Sequence, residues 1–242
     1  MNADAERSTP QSALSTVVNV VVVPQAAFDS IRERPTWFVA FVVVSLLSMA
    51  GSLLSVPAMS HAVRIWYPAQ LAADPNSASL PPERVAQLTD FTVAVIHYQW
   101  LANPIIVLLG ALLTAVVLLV VCTIAKGDAG FNRLFALAMN VGVVTLGLFG
   151  IVTGTIVALR GSDAFASPLE VQAAIPSLAW LAPAAGPKVM AALSAVNPFT
   201  IWSFVLLALG TATVARVSRA VGFAASAAVT VLGVAFTVAV AR

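Results

Sequence analysis

The sequence predicts an all-α fold, a polytopic membrane helical bundle of five transmembrane helices with an N-terminal in-plane amphipathic helix and helical outer loops. Three observations lead there. Only 9% of the 242 residues are charged, 60% are hydrophobic and the mean hydropathy is +0.97, whereas a soluble domain carries roughly 25% charged residues. The windows 35–63, 91–125, 134–159, 189–215 and 220–241 hold no Asp, Glu, Lys or Arg, and each can accommodate the roughly 20 apolar residues that cross about 30 Å of hydrocarbon. The two shortest links between them, 126–133 and 216–219, are bracketed by basic residues, the pattern of cytoplasmic loops.

The formal net charge is +2 with no Lys/Arg run, so the basic pI gives no nucleic-acid footprint and nucleic acid is not an expected partner. The single cysteine, Cys122, excludes an intramolecular disulfide and a multi-cysteine metal site and reads as a small apolar packing residue. Residues 14–23 have the length of a signal-peptide core, but Asp4 and Glu6 oppose Arg7 ahead of it and no A-x-A site follows. The N-terminal segment is therefore expected to stay on the mature protein.

In chain order, residues 1–23 form a polar or interfacial N-terminal segment. Its Val-rich part, 14–23, is too short to span and reads as either strand-like or interfacial. Pro24 suits a helix start, and Ala27, Phe28 and Ile31 fall on one face while Gln25, Asp29, Arg32 and Glu33 take the others. Pro35 disfavours helix at Arg34. This makes 25–34 an in-plane helix on the inner surface; a soluble-type amphipathic helix packed on protein has the same pattern. Residues 24–241 then form a single membrane domain with spans at about 37–59, 103–125, 134–158, 198–216 and 220–240. Between the first two, Pro81 and Pro82 lead into a loop helix over 82–101, where Val85, Leu88, Phe91, Val95 and Tyr98 recur at helical spacing before a kink at Asn103 and Pro104. The second long loop, 160–196, is interrupted by Pro176, Pro183 and Pro187 and holds a helical turn or two.

An N-in orientation puts Arg32, Arg34, Lys126, Arg133, Arg216 and Arg219 inside and Arg64, Arg84, Arg160, Lys188 and Arg242 outside. The inner positives are concentrated on very short links and the outer ones spread over two long loops, which favours N-terminus cytoplasmic and C-terminus outside. Trp66, Tyr67, Tyr98, Trp100, Trp180 and Trp202 then lie near the outer interface and Trp37 near the inner one. For packing, Gly150 and Gly154 form a small-xxx-small pair. Ser48, Gly51, Ser52 and Ser55 line the first crossing, and Gly222 and Ser226 open the last.

Three stretches together resemble the Yip family of five-span membrane proteins in its bacterial branch. Pro24, Phe28, Ile31, Pro35 and Trp37 resemble its P-x-x-x-F-x-x-I-x-x-x-P-x-W entry to the first crossing. Gly130, Phe131 and Arg133 are similar to the basic and aromatic lead into the third. Asn197, Pro198, Phe199 and Trp202 resemble the N-P-F-x-x-W entry to the fourth, followed by Gly210 and the hairpin at Arg216 and Arg219. The likeness covers residues 24 to about 240 and implies a five-span bundle of the bacterial cytoplasmic membrane. The D-L-Y-G-P-type motif of eukaryotic members is absent before the first crossing, so their role in vesicle traffic and Rab GTPase binding is not carried over. Physically, Asn197 can cap the fourth helix, Pro198 fits its first turn, and Phe199 and Trp202 lie one turn apart.

Catalytic chemistry has no residues to rest on. An ionisable group costs about 2.5–3.5 kcal/mol at the centre of a spanning helix, and the five windows contain none apart from neutral histidine. Glu83, Asp90 and His97 share a face of the loop helix, but successive members are about 10 Å apart along it, too far for shared coordination. His61 could approach His97, and two histidines without a third ligand make no zinc site. No cofactor or metal is expected. The leading expectation is a non-enzymatic integral membrane protein, a scaffold or accessory subunit of an assembly such as an exporter or trafficking complex, with the lipid bilayer and other membrane proteins or further copies of itself as partners. The alternative, a transporter or channel for an apolar or zwitterionic solute, requires a cavity lined by Ser48, Ser52, Asn140, Thr145, Thr211 and Thr230. The orientation is checked with Cys122 replaced: an impermeant thiol reagent added from outside should label a cysteine at Asn76 and spare one at Asp128, and the opposite pattern inverts the topology.

Overall fold

The computed structural model describes residues 12–182 and 185–240. Residues 1–11, with Asp4, Glu6 and Arg7, lie outside the described residues, as do Pro183, Ala241 and Arg242. The described residues are helical without strands: α1 (Ala13–Val22), α2 (Pro24–Glu33), α3 (Phe38–Ala73), α4 (Pro82–Tyr98), α5 (Asn103–Ile124), α6 (Phe131–Gly142), α7 (Phe149–Arg160), α8 (Pro168–Gln172), α9 (Pro187–Ser194), α10 (Pro198–Val214) and α11 (Arg219–Val240). A 3-10 turn, Gln99–Ala102, joins α4 to α5, and a π-helical stretch, Val143–Leu148, joins α6 to α7.

Among the described residues four helical stretches are long and apolar enough to cross a membrane: Phe38–Ala73, Pro82–Ile124, Phe131–Arg160 and Arg219–Ala239. A fifth is reached if Lys188–Ser194 and Pro198–Val214, bent by 60°, count as one span. Helix α10 alone needs that help, because its 17 residues at about 1.5 Å each fall short of about 30 Å of hydrocarbon. The protein is an all-α polytopic membrane helical bundle. Its exterior fits: Ile105, Ile106, Leu109, Leu113, Val116, Val120 and Ile124 of α5 and Val231, Leu232 and Phe236 of α11 are exposed, a surface suited to lipid.

Three expectations change. Residues 14–22 are not strand-like but lie in α1, with Val23 as its C-cap. Ser12 caps it by accepting from the Ser15 N–H at 3.1 Å, and Thr16, Val17 and Val20, one helical face, are buried. Helix α2 is present, but Ala27, Phe28 and Ile31 are fully buried and pack on protein, against α1 and α6, rather than on a lipid surface. Helix α3 continues well past the expected end near residue 59, carrying Pro57 and Pro68 within it; its 36 residues make about 54 Å.

The chain divides into two compact units, residues 12–43, 108–143 and 202–231, and residues 44–107, 144–201 and 232–240. In the first, α1, α2 and α6 pack together. The ends of α5 and α10 are both closed by a left-handed basic residue, Lys126 (φ 56°) and Arg216 (φ 52°). The Gly127 N–H reaches Cys122 O at 2.8 Å and the Val217 N–H reaches Ala212 O at 3.2 Å, the Schellman closure. The Asp128 N–H donates to Ala215 O at 2.8 Å, tying the two links together.

In the second unit, α3 and α7 meet backbone to backbone. A Cβ on Gly154 would strike the Gly51 backbone, and one on Gly51 would strike the Gly150 carbonyl. Asn103 Nδ2 donates to Ser52 Oγ at 2.8 Å. Ala58, Ala62, Val157, Phe165, Val171 and Ala174 form one apolar cluster, and Val63 with Val93 and Ile96 of α4 a second. After α3, Asp74 accepts from the Asn76 N–H at 3.0 Å and the Ser77 hydroxyl at 3.1 Å, which holds its carboxyl below the usual range. Gly154→Leu should lower stability in a detergent unfolding titration by about 1–3 kcal/mol, the cost of overpacking. Gly110→Leu, where a Cβ meets nothing, should not; equal effects would refute the close approach.

Candidate functional site

In the first unit the first two motif stretches and Gly210 converge on one locus. Phe28 points from α2 between Leu137 of α6 and Gly210 of α10. A Cβ on Gly210 would lie 2.5 Å from Leu137 Cδ1 and 3.0 Å from Phe28 Cε1, so glycine there leaves the space the ring occupies. Ile31, one turn on, is also fully buried. Gln25 Nε2 reaches Thr213 Oγ1 at 3.3 Å, and the Thr16 and Ser30 hydroxyls are 3.2 Å apart between α1 and α2.

The chain leaves α2 through Pro35, and Asn140 fixes where it goes. Asn140 Nδ2 donates to Thr36 O at 2.9 Å and to Ala136 O at 2.8 Å. Trp37 then sits edge-on to Phe135, centroids 5.4 Å apart, and Phe135 stacks with Phe131 at 5.8 Å. Arg133 lies in the first turn of α6 and is half-buried. Pro24 stands at the first position of α2, where its missing N–H costs nothing.

The third motif is in the second unit. Asn197 Oδ1 accepts from the N–H groups of Phe199 and Thr200 at 3.0 and 3.1 Å, and Thr200 Oγ1 accepts from the Asn197 N–H at 3.0 Å. This is a reciprocal capping box with threonine in the usual glutamate position. Phe199 packs edge-on to Phe149 at 5.8 Å. Pro198 opens α10, and Trp202, in the first unit, is exposed.

The ionisable candidates do not assemble. Asp90 pairs with Arg64 at 2.8 Å, His97 Nδ1 lies 2.8 Å from Val93 O, and His61 Nε2 lies 3.7 Å from Asp163. Glu83 is in the exposed first turn of α4. Among the described residues no group of three or more His, Cys, Asp or Glu could hold a metal ion. Of the polar residues proposed to line a cavity, Ser48 donates to Ser45 O and Thr230 to Ser226 O; Ser52 and Asn140 are bonded as above. Thr145 also has a partner. Thr211 is buried with its hydroxyl unpaired, as is Asn140 Oδ1. Open surface grooves border α4, one shared with α3 and lined by Arg64, Pro68, Val85 and Thr89, another lined by Phe91, Val95 and Tyr98.

Sequence reasoning missed Leu137, Thr36 and Thr200 as the partners of the motif side chains. Only Thr200, three residues after Asn197, carried a local signal. Chemically the locus is a seat for a helix, built from ring packing, one glycine and amide bonds to main-chain oxygens.

The Yip1 domain model matches residues 18–240. Membrane protein YknW of Bacillus subtilis (strain 168) is similar, 23% identical over 210 residues that cover 86% of this chain and 82% of the relative. No solved structure matches the chain.

Phe28→Ala removes a fully buried ring, a change that costs about 3–5 kcal/mol in a core. Hydrogen exchange should accelerate across α1 and α2 while α3 and α7 stay protected; unchanged exchange in α1 and α2 would show that Phe28 does not hold them.

Proposed function

Since the chain belongs to the Yip1 domain family, we propose that it is a non-enzymatic integral membrane protein that works by association, as a scaffold or accessory subunit of a membrane assembly such as an exporter or trafficking complex. One observation carries this reading. The motif side chains Phe28, Ile31, Trp37, Asn197 and Phe199 are used up in intramolecular packing and capping, while Phe91, Val95 and Tyr98 of α4 form an exposed apolar stripe at helical spacing. A stripe of large apolar residues left open marks an interaction surface.

The bilayer is contacted through the spanning helices, and the relative named above is a bacterial membrane protein. We place the chain in the cytoplasmic membrane with its N-terminus inside, on the concentration of Arg32, Arg34, Lys126, Arg133, Arg216 and Arg219. Helix α4 then projects outside, and its stripe meets a partner there. Purification in mild detergent should yield a reproducible co-eluting membrane protein or a self-associated species, and Phe91→Asp combined with Tyr98→Asp should abolish it. A monodisperse monomer with no reproducible partner overturns the reading.

A further inference from the structure

We propose that α1 is a shallow lipid-contacting helix that lies in the headgroup and upper acyl layer of the leaflet at which α3 begins, held there by α2. The expected surface helix was α2, yet its apolar face is consumed by protein. Helix α1 is apolar on both sides. Val17 and Val20 are buried where α1 packs on α2 and α6, whereas Leu14, Val18 and Val22, spaced four apart, are 60%, 53% and 69% exposed, and Val23 continues the patch. An apolar face left open on a helix has to be covered by something.

Lipid, rather than water or a second protein, suits what is left open. No charged residue occurs between Arg7 and Asp29. The hydroxyls of α1 are satisfied internally: Ser15 donates to Ser12 O at 2.8 Å, and Thr16 lies 3.2 Å from both Ser12 O and the Ser30 hydroxyl. Asn19, the remaining polar side chain of α1, is half-buried and has a partner, so the exposed Leu14, Val18 and Val22 leave no hydrogen bond unmade, a requirement in hydrocarbon. At 10 residues, about 15 Å, α1 is too short to cross but matches a helix sunk about 5–10 Å into the interface. Its partner α6 opens the span Phe131–Arg160, and Trp37, packed on Phe135 of that helix, is the residue type found at the headgroup level. Asp29, Arg32 and Glu33 of α2, which are not fully buried, supply the charged side that α1 lacks. The pair divides the work of one amphipathic helix, α1 meeting lipid and α2 meeting protein and water.

The test uses the full chain with Cys122→Ala, one copy per nanodisc of phosphatidylcholine and phosphatidylglycerol. A nitrobenzoxadiazole probe is attached to Leu14→Cys, Val18→Cys or Glu33→Cys in turn. The Leu14 and Val18 probes should emit at shorter wavelength than the Glu33 probe and be quenched several-fold more when the acyl chains are brominated near the headgroup. Water-like emission at Leu14 and Val18 overturns the proposal. So does short-wavelength emission that brominated lipid leaves unquenched, since protein would then cover the face.

Discussion

The space that Gly210 leaves on α10 for the Phe28 ring is the contact on which the first unit depends. Phe28 brings α2 against α6 and α10 at once, because Leu137 and Gly210 both line its pocket. Once α2 is seated, Pro35 turns the chain and Thr36 presents its carbonyl to Asn140, which delivers Trp37 onto Phe135. Helix α1 rests on α2 and α6. A side chain at position 210 would remove the seat and with it the start of α3. This is why a motif that reads like a binding signature is spent on architecture.

The second unit solves a different problem. In hydrocarbon two apolar helices gain little by leaving lipid for one another, so association relies on close fit. Gly51, Gly150 and Gly154 let the α3 and α7 backbones touch, which maximises dispersion over a long contact. The bond from Asn103 to Ser52 adds a polar tie, and Phe149 packed on Phe199 sets the entry to α10. The hydroxyls of Thr153 and Thr155 return to the helix backbone one turn back. In this unit these polar groups tie helices together or return to their own backbone.

Much of this was legible in the sequence, for physical reasons. Charge-free windows report the solvent directly, and the spacing of Ala27, Phe28 and Ile31 reports a helix face. What the face meets was not legible, because periodicity gives a direction and no partner: lipid and Leu137 make the same demand on Phe28. The ambiguity at 14–23 had the same root, since valine favours strands while nothing in a local window shows that α2 and α6 await it. The length of α3 was hidden because a charge-free window reports only the part of a helix that can cross the membrane, and α3 runs on past it through Pro57 and Pro68, which membrane helices tolerate. Gly150 and Gly154 were readable as a pair since their spacing lies within one helix, but their fit to Gly51 is a matter of two.

Lys126 and Arg216 carry a local cost that their contacts do not clearly repay. Each closes a helix in the left-handed region, where a residue with a Cβ loses about 1–2 kcal/mol and glycine would be the easy choice. A cation at a helix C-terminus regains about 0.3–1 kcal/mol. The contact of Arg216 with Asp128 at 3.5 Å is between exposed groups and is worth at most about 1 kcal/mol. Local terms therefore come close to balance without clearly exceeding the strain. What glycine could not provide is the charge itself, set on links so short that it acts directly at the helix ends, where basic residues decide which way a span points. The N-in orientation proposed above would give both charges that task, and the Asp128 to Ala215 bond ties the two links that carry them.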